Sequence, residues 1–306
     1  MNIITKSNAQ IFLILNAILW GSSYIWSKML LGFLPQFSIL FICAVLGFCS
    51  TAIIFRKKLH GFNKKIVVTC VLISLISVVS NTFCMLALKK TTGSNTAFIV
   101  QLSIVITPVI MAVLERKSPS RKTILLAMTA MVGIYFITFA GKGFSVNIGD
   151  IFALCNAIFF SLFIALQNKF SNVFTAVQFT FIQHSTNIVC FLILALVFET
   201  GKVTFSNVVN PIFLFLICLN AAVTIFTSLF QSSAIKFVRP ENAAITYALE
   251  PVVTAALGIL LLGERFTGVL PIIGCVIILV TIIVSAFNKG KTFSIQSLKL
   301  RITTKA

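Results

Sequence analysis

Acidic residues are scarce in this sequence of 306 residues. Asp and Glu together number 6, and charged residues make up 10% of the chain, whereas a soluble protein carries about 25%. A water-exposed surface cannot be built from so few charges. The hydrophobic fraction of 58% also exceeds the roughly 45–50% of soluble domains. The composition therefore excludes an ordinary soluble globular protein and predicts a chain that lies in a lipid bilayer.

The sequence also lacks the motifs of several functional classes. Its eight cysteines have no C-x-x-C spacing, which argues against a zinc site or a disulfide framework. The nucleotide-binding loop, the H-E-x-x-H metal motif and the G-x-S-x-G nucleophile motif are all missing from the sequence. We therefore expect no cofactor and no metal, and an ATP-driven mechanism of this chain alone is disfavoured.

The formal net charge of +18 comes from 24 Lys and Arg residues. In a soluble chain such an excess would suggest a nucleic-acid partner. Here the basic residues stand in short bursts between apolar runs, as in the Arg-Lys-Lys cluster at 56–58, where they can determine membrane topology. We predict no nucleic-acid partner.

Ten apolar windows are long enough to cross a membrane, because a helix rises 1.5 Å per residue and the hydrocarbon layer is about 30 Å thick. Their approximate ranges are 9–31, 37–55, 66–88, 94–114, 122–140, 149–168, 175–198, 211–235, 241–262 and 267–287. The sequence thus predicts an all-α integral membrane protein of ten transmembrane helices.

The basic residues also indicate how these helices are oriented. When each is assigned to the connection in which it lies, 18 fall on the side of the N-terminus and 6 on the other side. Cytoplasmic connections carry the excess of Lys and Arg in membrane proteins. We therefore predict an even number of spans with both termini in the cytoplasm.

The two halves of the sequence share an internal similarity. The segment IFLILNAI at 11–18 matches IFALCNAI at 151–158 with five identities in eight, and Pro108 in the fourth window aligns with Pro251 in the ninth. Because five spans per repeat is an odd number, the second copy must enter the membrane from the opposite side. The predicted units are a first five-helix repeat at 9–140, a second at 149–287 and a basic cytoplasmic tail at 288–306.

Four short motifs resemble those of the EamA group of the drug/metabolite transporter superfamily: LWGSS at 19–23, ALKKTT at 87–92, ALEPVV at 248–253 and LGER at 262–265. The resemblance covers nearly the whole chain. It implies two inverted five-helix repeats around a central cavity in the cytoplasmic membrane of a bacterium. It also implies export of amino acids or other small metabolites by a secondary or facilitated mechanism. The first half is shorter at its end than the second, so roles should not be copied between the repeats.

Polar stripes on apolar helices predict a shared cavity. Residues spaced by three or four positions lie on one face of a helix, and this spacing recurs in several windows. In the stripe of the first window, the rings of Trp20 and Tyr24 could stack on a ligand or attract its ammonium group. The alternative is that the polar residues of this stripe bond to neighbouring helices and hold the bundle together. The predicted cavity residues are Asn16, Trp20, Tyr24, Ser77, Asn81, His184, Asn220, Thr224, Thr246, Tyr247 and Glu250.

Glu250 lies about ten residues into the ninth window, near the centre of the bilayer. A charged side chain there costs about 2.5–3.5 kcal/mol even on the lenient insertion scale. One hypothesis is that Glu250 exchanges protons during a transport cycle. The alternative is that it braces a helix break at Pro251, where proline removes a backbone donor. A second break is expected at Pro108.

His184 is the one histidine within a predicted span. Its ordinary pKa of about 6.5 suits a proton relay, and the simpler alternative is a neutral imidazole bonded to a neighbouring helix. The sequence does not decide whether His184 approaches Glu250.

Two functions are open at this point. The first is a secondary exporter of a small molecule, and the second is a membrane-embedded enzyme or a non-transporting assembly subunit. Few acids and a single intramembrane histidine leave little from which to build an enzyme site, so we favour the transporter and expect no enzymatic activity. The expected partners are a small-molecule substrate and the lipid bilayer, with monomer and homodimer both open.

Tags at residue 2 and after Ala306 test the topology, as does a cysteine probe placed between Lys57 and Lys65. All three are expected to report the cytoplasm, because the connections on that side carry 18 of the 24 basic residues. Accessibility to a membrane-impermeant reagent in intact cells is the measurement. An N-terminus labelled from outside would contradict both the orientation and the inverted repeat.

Overall fold

The computed structural model describes residues 4–139, 147–202, 208–262 and 268–287. These residues are mostly helical, and no strand occurs among them. The predicted basic tail at 288–306 and the Gly-Glu-Arg part of the fourth motif, at 263–265, lie outside the described residues.

Among the described residues, twelve α-helices form ten spans, because two of the spans consist of two helices each. The helices are α1 (Ala9–Leu30), α2 (Gln36–Ile54), α3 (Lys64–Lys90), α4 (Gly93–Val100), α5 (Ser103–Glu115), α6 (Arg121–Phe139), α7 (Ile148–Lys169), α8 (Ala176–Phe198), α9 (Pro211–Ala234), α10 (Pro240–Tyr247), α11 (Leu249–Leu262) and α12 (Leu270–Phe287). Within the described ranges, 8 spans are long and apolar enough to cross a membrane, and α12 is a shorter apolar helix. The predicted ten-helix fold is confirmed.

Polar side chains define where several helices begin. At the start of α7, Asn147 Oδ1 accepts a hydrogen bond from the Gly149 N–H at 2.7 Å, and the Asp150 carboxylate accepts one from the Asn147 N–H at 2.9 Å. Thr175 and Gln178 form the same reciprocal pair at the start of α8. Such capping boxes pair two donors that a helix would otherwise leave unsatisfied, so these helices start at fixed positions.

Two spans are interrupted in the middle of the bundle. Gln101 and Leu102 separate α4 from α5, and Ala248 separates α10 from α11. At both places a backbone N–H bonds to the carbonyl three residues earlier, Gln101 to Phe98 at 3.0 Å and Ala248 to Ile245 at 3.1 Å. Such bonds tighten the helix into a 3₁₀ turn and leave its backbone groups paired.

The prolines follow the interruptions instead of causing a break at their own positions. Pro108 lies inside α5, and Pro251 is the third residue of α11. The first turn of a helix has no intrahelical acceptor for its N–H groups, so Pro251 is tolerated there. Pro108 is the sixth residue of α5 and lies beyond the first turn. The breaks expected at Pro108 and Pro251 therefore lie earlier in the chain, at 101–102 and at Ala248.

The two repeats are interleaved. The first helix of each repeat packs against the third helix of the other, α1 on α9 and α7 on α3. The second helices, α2 and α8, pack on each other, and so do the last helices, α6 and α12. Every one of these pairings joins the first repeat to the second, so the halves do not form two separate bodies.

Side-chain hydrogen bonds join α2 and α8 at both ends of the pair. The Glu199 carboxylate, which follows α8, accepts hydrogen bonds from the N–H groups of Phe37 and Ser38 at 2.8 Å each. At the other end the Gln178 amide nitrogen donates to the carbonyl of His60 at 2.8 Å. A carboxylate at a helix N-terminus is favourable because it pairs free donors and faces the positive end of the helix dipole.

The polarity of the bundle is inverted relative to a soluble protein. Large apolar side chains cover the outside, such as Leu260 and Val113, which are 77% and 73% exposed. Polar side chains such as Thr107 and Thr254 are fully buried inside. Hydrocarbon imposes no penalty on an apolar exterior, so this distribution suits a lipid environment.

A close approach of α1 to α11 brings the first repeat against the second. A Cβ atom on Gly21 would lie 2.7 Å from the Glu250 carbonyl oxygen and 2.8 Å from the Val253 Cβ. The Thr254 hydroxyl donates to the Gly21 carbonyl at 2.7 Å. Because the nearest atom belongs to the backbone, a side chain at Gly21 would force the two helices apart.

Gly21→Ala is therefore expected to destabilise the protein by about 1–3 kcal/mol, the usual cost of overpacking a tight contact. The measurement is the melting temperature of the purified protein in detergent. Gly93→Ala is the matched control, since the nearest atom to its added Cβ is the Ile25 Cδ1 at 3.9 Å. Equal melting temperatures for the two variants would contradict the close approach.

Candidate substrate cavity

A cavity lies inside the bundle, between α1, α2 and α3 of the first repeat and α7, α8 and α9 of the second. About 140 Å³ of this space is open to the centre of a water molecule. One water needs about 10–15 Å³ by this measure, so the cavity has room for on the order of ten waters. A small polar solute is similar in size to this group of waters.

Most of the predicted cavity residues line this space. They are Trp20, Tyr24, Ser77, Asn81, His184, Asn220 and Thr224. Lining residues outside the predicted set include Gln183, Asn187, Ser80, Phe160 and Phe163. Gln183 and Asn187 share the polar face of α8 with His184, a signal that the sequence carries. The two phenylalanines carry no such signal among 31 phenylalanines.

The lining is uncharged and mixes polar with apolar side chains. Hydroxyl, amide, imidazole and aromatic groups share it with aliphatic and sulfur-containing side chains such as Leu40 and Met85, and no Lys, Arg, Asp or Glu belongs to the described lining. Several hydroxyls donate to the backbone of their own helix, Ser23 to the Trp20 carbonyl at 2.8 Å and Thr224 to the Asn220 carbonyl at 2.8 Å. Their oxygen lone pairs stay available, so this part of the lining offers hydrogen-bond acceptors.

His184 is held against the backbone of α2. A Cβ atom on Gly47 would lie 2.6 Å from the imidazole Cε1 and 2.8 Å from both ring nitrogens. The ring is 1% exposed, and neither nitrogen has a hydrogen-bond partner within the described structure. The bond to a neighbouring helix considered for His184 does not occur among these residues. Because position 47 has no side chain, the ring can lie between α8 and the backbone of α2.

An aromatic layer fills the bundle on one side of the cavity. The Trp20 ring lies 5.1 Å from the Phe160 ring and 5.2 Å from the Tyr247 ring. Trp20 and Phe160 belong to the lining, whereas Tyr247 is fully buried behind them. Such tilted and edge-to-face contacts add to the stability gained by burial, so this side is closed by packed rings.

A chain of hydrogen bonds continues behind the aromatic layer. The Asn16 amide donates to the Tyr247 hydroxyl at 3.2 Å, which donates to Gln231 Oε1 at 3.1 Å. Gln231 in turn donates to Gln167 Oε1 at 2.6 Å. The chain connects α1, α10, α9 and α7. Nearby, Gln10 donates to the Thr246 hydroxyl at 2.5 Å.

Asn16, Thr246 and Tyr247 thus belong to this closing layer and are not part of the lining. The polar stripes of α1 and α10 extend over more than one turn, and only one end of the α1 stripe reaches the cavity. The other end pairs with groups of neighbouring helices.

The Tyr24 side chain separates Glu250 from the cavity. Glu250 Oε2 accepts a hydrogen bond from the Tyr24 hydroxyl at 3.2 Å, and the Tyr24 ring lines the cavity. The carboxyl group is 1% exposed, and its Oε1 has no hydrogen-bond partner in the described ranges. Gln101 lies beside the carboxyl group, although both of its amide atoms are also without a partner there.

Glu250 and His184 pack against different helices. Glu250 packs against α1 at Gly21, whereas His184 packs against α2 at Gly47. No hydrogen bond or ion pair joins them among the described residues. Nowhere in the described ranges do three or more His, Cys, Asp or Glu side chains group together as a metal site would require.

Comparisons with known proteins agree with this architecture. The EamA-like transporter family matches the chain twice, over residues 7–139 and 147–287. A protein of Archaeoglobus fulgidus described as an uncharacterized transporter is 26% identical over 277 residues, which covers 90% of this chain and 85% of the relative. A crystal structure with 16% identity superposes with a TM-score of 0.76, covering 94% of this chain and 100% of the other. That likeness shows the fold alone.

The two family matches together span nearly the whole chain and coincide with the two interleaved sets of five spans. This chain is therefore a multi-pass membrane transporter that belongs to the EamA-like transporter family of the drug/metabolite transporter superfamily.

Proposed function

We propose that this protein exports small polar metabolites, amino acids or related compounds, across the cytoplasmic membrane of a bacterium by alternating access. The observation that carries the proposal is the uncharged, partly polar cavity enclosed by helices of both repeats. Inverted repeats that meet around a midplane site are a recurring transporter architecture. No enzymatic activity is part of the proposal.

The cavity lies near the middle of the bundle. Its lining comes from the second halves of α1 and α3, the first half of α2 and the central parts of α7, α8 and α9. The aromatic layer and the Tyr247 hydrogen bonds close one side of it. A central position between the two repeats supports its role as the substrate site.

Glu250 is the candidate for coupling transport to protons. Its carboxyl group is buried in the span and bonded to Tyr24, which also faces the cavity. A change in the protonation of Glu250 therefore changes a hydrogen bond of a residue that would contact the cargo. This link is our reason for preferring proton coupling to a purely structural role at the Ala248 break.

Transport is tested with purified protein in liposomes loaded with a panel of labelled amino acids and related small metabolites. We expect efflux of at least one compound above that of protein-free liposomes. Trp20→Ala is expected to slow it, because Trp20 contributes both to the lining and to the aromatic layer. If no compound of the panel moves, and a lipid-soluble substrate is turned over instead, the proposal is wrong.

Glu250→Gln tests coupling in the same liposomes. The amide keeps the shape of the side chain but cannot release a proton, so accumulation driven by a pH gradient should be abolished while downhill exchange continues. Glu115→Gln is the matched control, because this acid is 44% exposed at the end of α5. It should retain both activities.

Two outcomes would remove the coupling role. The first is full pH-driven export by Glu250→Gln. The second is loss of both transport modes together with a lower folded yield, which would assign Glu250 to the structure of the break. Glu250→Leu should lower the folded yield in either case, because it leaves the Tyr24 hydroxyl unpaired.

A further inference from the structure

Three unpaired polar atoms lie between the two interrupted spans. They are Glu250 Oε1 and both amide atoms of Gln101, and none of them has a hydrogen-bond partner in the described structure. Gln101 is fully buried at the α4–α5 interruption, and Glu250 is 1% exposed at the second residue of α11. Neither residue belongs to the cavity lining. α4 packs on α11, and the Gln101 amide lies beside the Glu250 carboxyl group, so the two side chains meet inside the bundle.

The other oxygen of the Glu250 carboxyl group already has a partner. Oε2 accepts a hydrogen bond from the Tyr24 hydroxyl of α1 at 3.2 Å. Buried polar groups are nearly always paired, because an unpaired one loses its bonds to water without compensation, and hydrocarbon supplies no water to replace them. Among the groups that interact with the carboxyl group, the Gln101 amide is the one left to pair with Oε1.

The hydrogen bond that Glu250 Oε1 can form depends on whether the carboxyl group holds a proton. A carboxylate is an acceptor only, whereas a carboxylic acid has one O–H donor. A glutamine amide has donors on its nitrogen and an acceptor on its oxygen, and rotation about its terminal torsion exchanges the two ends. Gln101 can therefore pair with both forms of Glu250. Its N–H donates to the carboxylate, and its carbonyl oxygen accepts from the acid.

No charged side chain of the described structure pairs with the Glu250 carboxyl group. The titratable groups that interact with it are the hydroxyls of Tyr24 on α1 and Tyr247 on α10 and the thiol of Cys84 on α3. α6 and α12 also pack on α11. Their titratable side chains contribute no interaction to the carboxyl group: Arg121, Lys122, Tyr135 and Cys275. Hydrogen bonds, and not a counter-charge, therefore accompany the proton of Glu250.

We propose that Gln101 is a positioning residue for proton coupling: its amide donates to the Glu250 carboxylate, accepts from the carboxylic acid, and turns over when the proton is exchanged. The proton enters and leaves at Glu250 Oε1, and Gln101 itself gains and loses none. Gln101 and Glu250 belong to the two interrupted spans, one in each repeat, so each exchange changes a bond between the repeats. The inference rests on the proposed coupling role of Glu250 and extends it to Gln101.

Infrared difference spectra of the purified full-length protein, taken between acidic and alkaline buffer, test the pairing. The chain has 6 Asp and Glu residues, and the band of the protonated Glu250 carboxyl group is identified by its loss in Glu250→Gln. Gln101→Met replaces the amide by an apolar side chain of similar length. The C=O stretching band of Glu250 is then expected to move to higher wavenumber, because the O–H group has lost its acceptor.

Ser103→Ala is the matched control for the infrared band. Ser103 is fully buried just after the same interruption, and its hydroxyl also has no partner in the described structure. This variant should leave the Glu250 band in place. Gln101→Asn is the second variant, for the case that Gln101→Met does not fold. It keeps an amide but withdraws it by one methylene group, so the band is expected to move in the same direction.

Transport in liposomes gives a second readout. Gln101→Met is expected to slow accumulation driven by a pH gradient at least about 10-fold, as for one lost hydrogen bond to a charged group, while downhill exchange continues. Ser103→Ala should retain both modes.

The inference is overturned if the Glu250 band stays in place when the Gln101 amide is removed or withdrawn, or if Ser103→Ala moves the band equally. It is also overturned if Glu250→Gln removes no band, or if Gln101→Met keeps full pH-driven accumulation. The spectra need no cargo, so the two proposals fail separately. A shifted band without flux of any compound would support the pairing and remove the transport function.

Discussion

A peptide group in hydrocarbon can form hydrogen bonds only with other parts of the protein, and the rest of this structure depends on that constraint. It makes every span helical and allows an interruption only where the backbone stays paired or covered. Both interruptions meet the requirement, because Gln101 and Ala248 are fully buried and form 3₁₀ bonds. The two interrupted spans thus lie inside the bundle, where α4 packs on α11 and α5 packs on α10.

The same constraint favours pairing of the polar side chains inside the bundle. Asn16 and Gln231 of the closing layer are connected through Tyr247 and hold helices of both repeats together. Other buried atoms have no partner in the described structure, beside the cavity in Asn187 and away from it in Gln101. Each acid of the described chain has at least one partner: Glu115 and Glu241 bond to Arg239, Asp150 and Glu199 cap helices, and Glu250 accepts from Tyr24.

The spans, the repeat and most of the cavity residues were predictable, because long apolar runs and polar stripes can be read from the sequence. The division of the α1 stripe between the cavity and the closing layer was not predictable. Trp20 and Asn16 stand one turn apart on α1, and which of them meets the cavity depends on where Tyr247 packs. The positions of the breaks were also hidden, because in both spans the turn before the proline-containing helix tightens. Gly47 gave no sequence signal, since its role exists only opposite the His184 ring.

Interleaving of the repeats has a consequence for synthesis. Asn16 finds its partner 231 residues later in the chain, and Gly21 finds Thr254 233 residues later. At a translation rate of about 5–20 residues per second, α1 spends roughly 10–50 seconds in the membrane before its partners emerge. The contacts of α1 with α10 and α11 can therefore form only after the ninth span has left the ribosome, so the packing of the first helix is completed late in synthesis.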